Sequence, residues 1–113
     1  MDFDHGADAL RALWDLPARQ RPTAVFAVSD TLAIGALRQA RELGLSVPDD
    51  LALVGFDDID FAAQTGPPLT TVRQPAAEMG RQAALRLIQR LRGEVQRIES
   101  LTLPHELVVR AST

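Results

Sequence analysis

The 113-residue chain contains no cysteine, no lysine, no tyrosine and no asparagine. Without cysteine there is no disulfide, no thiolate nucleophile and no cysteine-held metal. Without lysine there is neither Schiff-base chemistry nor the phosphate-gripping lysine of a P-loop. All twelve basic residues are therefore arginine, and the aromatic set is four Phe plus Trp14. A formal net charge of -3 gives no electrostatic reason to bind nucleic acid or an anionic membrane. No apolar run approaches the roughly 18 residues of a membrane span, and no signal peptide opens the chain, so a cytoplasmic location is expected.

What is present is an ordinary globular composition, 46% hydrophobic and 24% charged, at a length that supports one modest core. Two continuous apolar runs, 24–28 and 51–56, flank a helix-like stretch over 30–43. Apolar runs joined by one helix predict two parallel strands buried on both faces. The right-handed crossover then brings their polar ends, Ser29-Asp30 and Asp57-Asp58, to the same sheet edge. In open α/β sheets that carboxyl edge is where ligands bind.

The rest of the chain is punctuated clearly. Asp4 is a candidate cap for a helix over 6–16, with Ala7, Leu10, Leu13 and Trp14 on one face. Ser29 or Asp30 caps the central helix, Ala33, Ala36, Leu37, Ala40 and Leu43 form its apolar stripe, and Gly44 supplies its left-handed end. Residues 59–65 have room for one helical turn, Gly66-Pro67-Pro68 interrupts regular structure, and 69–72 reads as a third strand. Pro75 opens a helix running to Arg92, whose Arg81, Arg86, Arg90 and Arg92 read as a solvated face. Two extended pieces, 98–103 and 106–109, complete the chain.

Chemistry is sparse. Asp57, Asp58 and Asp60 lack the glycine turn and distal Glu of a calcium loop, so no metal site is expected. A phospho-acceptor site would need an opposing lysine. Ser29, His105 and Asp57 make a triad on paper only, since no nucleophile elbow accompanies them. The expected class is a binding protein, not an enzyme, and no cofactor is expected. Carboxylates accept hydrogen bonds from hydroxyls and ring N–H groups, while Phe56 and Phe61 could cover an apolar ligand face. With nothing cationic evident nearby, such a site favours a neutral polyol or nitrogenous base over an anion.

The runs R-P-T-A-V-F, S-D with A-I-G, V-P-D-D, L-V-G-F-D-D and P-P-L-T-T-V together resemble the effector-binding region of the LacI/GalR transcriptional regulators. The similarity extends into the final L-P-H-E-L-V-V-R-A-S-T, so it covers nearly the whole chain. The resemblance implies an α/β fold with a parallel, three-layer αβα sheet, part of a periplasmic-binding-protein type I-like lobe. It implies a sugar or a nucleoside- or nucleobase-like effector, contacted by Asp30 and Asp57, with Phe56, Ser29 and Phe61 lining the pocket. It places Ile34, Arg38 and Gln64 at the interface of a homodimer or higher oligomer. It makes residues 1–113 a partial effector-binding and dimerisation domain, with helix 75–92 belonging to the other lobe and DNA contacted only through a domain absent here. A solute-binding protein serving a sugar transporter shares the fold and is the alternative.

Overall fold

A computed structural model describes residues 2–95, 97 and 99–113. They form helices α1 (Phe3–Trp14), α2 (Asp30–Glu42) and α3 (Ala76–Leu91) and strands β1 (Ala24–Phe26), β2 (Ala52–Asp57), β3 (Thr70–Arg73) and β4 (Glu106–Val108). Two 3-10 helices, Ala18–Gln20 and Asp60–Gln64, lie in the connections. The chain divides into two compact units: Met1–Arg73 with Glu106–Thr113, and Gln74–His105.

In the first unit the strands are ordered β1-β2-β3-β4. Strand β2 is parallel to β1, as the apolar runs predict, and it is parallel to β3 as well. Strand β4 instead runs antiparallel to β3, so the sheet is mixed and not parallel throughout. The α/β class stands, and the antiparallel edge is where the chain re-enters this unit after residues 74–105.

Strand alternation separates the two sheet faces. Leu53 and Gly55 of β2 are buried and meet Ala33, Ala36, Leu37 and Ala40 of α2, with Leu10, Leu51, Ala62 and Leu69 in the same core. Leu43, expected on that stripe, occupies the C-cap of α2 and stays exposed. The opposite face leaves Phe26, Val28, Leu107 and Val109 exposed, so β1 and β2 are buried on one face only and not on both as the apolar runs predict: no described element of this unit covers the second face.

Helix α1 packs on α2 through two glycines. A Cβ on Gly6 would run into the Leu32 carbonyl, and one on Gly35 into the Phe3 carbonyl. The helices therefore touch backbone to backbone, which explains why A-I-G carries glycine inside a helix despite its poor propensity. Capping also differs from expectation at α1. Asp2, not Asp4, accepts the His5 amide at 3.1 Å, while Asp4 pairs with Arg38 of α2 at 2.6 Å. Starting at Phe3 adds the turn that brings Phe3 over Gly35. Trp14 is half-buried beneath the Arg21 guanidinium, 5.1 Å from its ring centroid.

The second unit contains α3. Every residue of this helix keeps partial or full exposure, including Met79, Leu85, Leu87, Ile88 and Leu91. Two of its arginines are engaged: Arg81 holds Glu78 through two hydrogen bonds, and Arg86 donates to the Glu99 carbonyl at 2.7 Å. Of the expected extended piece 98–103, Ile98 lies outside the described residues, and 99–103 take no regular structure.

The α1–α2 contact makes a direct prediction. Gly35→Ala should lower stability by about 1–3 kcal/mol, the usual range for overpacking. Gly80→Ala, whose Cβ meets no described atom within 4 Å, should not lower it. Urea-unfolding midpoints of the two variants check this, and equal midpoints would contradict the tight crossing.

Candidate functional site

The rim at the carboxyl ends of β1 and β2 is built around Asp30. Ser29 has extended backbone and caps α2, its hydroxyl accepting the Leu32 amide at 3.3 Å. That places Asp30 at the first helical position, and its side chain is fully buried. One carboxylate oxygen accepts the Ile59 amide at 2.9 Å, the other the Thr71 hydroxyl at 2.6 Å. The carboxylate thereby ties the start of α2 to the segment after β2 and to the middle of β3. It also explains the glycine of G-F-D-D: a Cβ on Gly55 would collide with Asp30 Oδ1 and come within 3.0 Å of Leu69 Cδ2. Asp30 is thus an internal brace, with both oxygens engaged by the protein.

Immediately beyond Phe56 the backbone kinks. Asp57 and Asp58 have φ of 115° and 54°, values that side chains other than glycine rarely adopt. Asp57 is half-buried at this kink. The Asp58 side chain is only 8% exposed and lies between two guanidinium groups, Arg73 Nε at 2.6 Å and Arg110 Nη2 at 2.7 Å. Burial pushes the Asp58 carboxyl up, but the hydrogen bonds from Arg110 and Arg73 prevail and hold it below the usual carboxylate range. The rim therefore holds two cations beside Asp57, contrary to the expectation of none. Asp58 and Glu106 partner them, Glu106 lying 3.3 Å from Arg73.

The final residues complete this arrangement, although the resemblance gives Arg110 and Ser112 no place at the site. Arg110 donates from Nη1 to the Leu69 carbonyl at 2.8 Å, and its amide reaches the Thr70 hydroxyl at 2.8 Å. Ser112 is fully buried, donating its hydroxyl to the Leu53 carbonyl at 2.6 Å and accepting the Thr70 amide at 2.8 Å. The tail thus bridges β2 and β3 where the two strands separate. The available signal was a short polar run, R-A-S-T, directly after an apolar β-prone one.

The remaining sequence-predicted residues separate. Ser29 and Asp57 flank the Asp30 brace on the same rim. Phe56 is paired with Val72, which is paired with Leu107, so all three point to the face opposite α2, away from Asp30. Phe61 lies in the 3-10 helix Asp60–Gln64 and is exposed. Gln64, at the end of that helix, is exposed as well. Ile34 packs partly against the core, and Arg38 is held by Asp4 of the same chain. Among the described residues no group of three or more His, Asp or Glu could hold a metal ion.

The buried ion pair implies a pH dependence. The native Asp58 carboxyl titrates below its ordinary 3.8, so the native state binds fewer protons than the unfolded chain. The stability this contributes is complete above 3.8 and is lost as pH falls through the lower native value. Arg110→Met should therefore flatten the fall in unfolding free energy between about pH 5 and about pH 2. Urea unfolding across that range measures it, and an unchanged profile would contradict the assignment.

Residues 2–113 match the family model described as "Periplasmic binding protein-like domain". The chain is 47% identical over 111 residues to the HTH-type transcriptional repressor CytR of Escherichia coli (strain K12), covering 98% of this chain and 32% of that protein. Among solved structures, a transcriptional regulator CelR-cellobiose complex aligns with a TM-score of 0.90 at 41% identity, covering 100% of this chain and 34% of that one. A LacI family transcriptional regulator from Lactobacillus casei with bound sucrose aligns with a TM-score of 0.81 at 35% identity, covering 100% of this chain and 41% of that one. The chain spans about a third of the length of the curated relatives it matches. In none of its helices, among the described residues, is there a stretch long and apolar enough to cross a membrane. With this match along its length and these structural neighbours, the chain belongs to the periplasmic binding protein-like domain family, in the form carried by LacI-type transcriptional regulators.

Proposed function

We propose that this chain is the effector-sensing and dimerisation portion of a LacI-type transcriptional repressor, taking a sugar or nucleoside-like small molecule at the rim beside Asp57. The observation that carries this reading is the strained kink at 57–58, which sets a half-buried carboxylate at the carboxyl edge of the parallel strands. A carboxylate so placed accepts hydrogen bonds from ligand hydroxyls or ring N–H groups. Ser29 is the second polar contact on that rim. Phe56 and Phe61 are the apolar contacts, approaching from the far sheet face and from the loop. Asp30 acts here through the backbone it braces, since its two oxygens are already engaged.

The cellobiose and sucrose named for two structural neighbours support a saccharide class. The named relatives are repressors and regulators, which favours gene control over the transporter alternative and over an enzyme. DNA contact in this reading belongs to sequence outside these 113 residues, and a cytoplasmic location follows from it. The division of the chain at residues 74 and 105 supports assigning α3 to a second lobe. Ile34, Arg38 and Gln64 remain the proposed surface between copies. Ligand binding would act by favouring one arrangement of the lobes, which requires different affinities for the two arrangements.

A thermal-shift screen of sugars, nucleosides and nucleobases on the chain in its native polypeptide context tests this. A ligand at a hundred times its Kd stabilises by about 2.7 kcal/mol, which gives a clear shift. Asp57→Ala should abolish any such shift. An unchanged response in that variant would remove Asp57 from the site.

A further inference from the structure

We propose that Arg110, together with Arg73, is a positioning residue that aims Asp57 by clamping its neighbour Asp58. This rests on the reading of Asp57 as the effector contact and says what fixes its orientation.

Two consecutive non-glycine residues with positive φ form a conformation that the local chain does not favour. It persists only when surrounding contacts over-determine it, and two sets of contacts do so here. On one side Asp30 holds the Ile59 amide, fixing the backbone just after the kink. On the other, the nearly buried Asp58 carboxylate is gripped from two directions by Arg73 and Arg110. The Asp58 amide also reaches the Thr71 hydroxyl at 3.4 Å, the same hydroxyl that donates to Asp30.

Arg110 suits this role because its own position is fixed. Its side chain is 17% exposed, and its guanidinium spans Asp58 and the Leu69 carbonyl. The rigid planar fork holds its donors in fixed directions on separate nitrogens, whereas an ammonium's three donors rotate on a flexible stem. Arg73 is more exposed and links Asp58 to Glu106, its register partner in β4. Arg73 and Glu106 are also the residues at which the chain leaves and re-enters the first unit. One carboxylate thus fixes the rim beside Asp57 and the strand ends that border residues 74–105. Among the described residues, the other ion pairs of the first unit lie between more exposed side chains, where such contacts contribute little. The Asp58 carboxylate differs from these in being nearly buried and bonded from two sides.

Amide hydrogen exchange on Arg110→Met and on the milder Arg73→Met tests the proposal without any ligand. Exchange at the amides of Asp58 and Ile59 should accelerate roughly tenfold or more in Arg110→Met, measured relative to the α2 amides of Leu37 and Ala40. Arg73→Met should accelerate the same two amides by a smaller factor, and it keeps the proposal testable should Arg110→Met fail to fold. Unchanged relative exchange at Asp58 and Ile59 in a folded variant would overturn it. Failure of the underlying reading looks different. In that case Asp57→Ala leaves the thermal response to the screened sugars and nucleosides intact, while exchange at Asp58 and Ile59 still responds to the arginine substitutions.

Discussion

A single buried carboxylate organises the edge of this fold at the carboxyl ends of β1 and β2. Asp30 lies beneath the rim with one oxygen on the Ile59 amide and the other on the Thr71 hydroxyl. Burying a charge without partners is strongly unfavourable, so its two hydrogen bonds are conditions for the fold and not additions to it. They demand a glycine at 55, where any side chain would meet the carboxylate. They demand a hydroxyl at 71 and a backbone at 59 turned inward. Much of the S-D, G-F-D-D and L-T-T-V pattern follows from this one constraint.

The parallel pairing of β1 with β2, the helix between them and the shared rim were legible in the sequence, because apolar runs and helical spacing mark the elements, although the runs overstated burial on the face that carries Phe26 and Val28. The role of Asp30 was not. Position after Ser29 fits a ligand contact and a helix-start brace equally well, and only the fold shows which groups its oxygens meet. The resemblance implies one pocket for Asp30 and Phe56. The ladder shows what local pattern does not, that Phe56 points to the sheet face opposite Asp30, with Val72 and Leu107. Asp58 drew attention only as one member of an acidic cluster. Its two arginines come from 15 and 52 residues further along the chain, a separation that no local pattern reports.

The C-terminal residues illustrate the same limit. Arg110 and Ser112 look like the polar end of an edge strand. In the fold they bridge β2 and β3 at one end and grip Asp58 at the other. The segment that returns after residues 74–105 therefore closes the first unit, and the rim depends on both its early and its late residues.

The most direct test of the brace is a double-mutant cycle on Asp30→Ala and Thr71→Val, read by urea unfolding. If the buried hydrogen bond organises the rim, the two changes will couple by roughly 1 kcal/mol or more, the double variant losing less than the sum of the singles. Losses that add to within about 0.3–0.5 kcal/mol would show the two residues acting independently and would contradict the account.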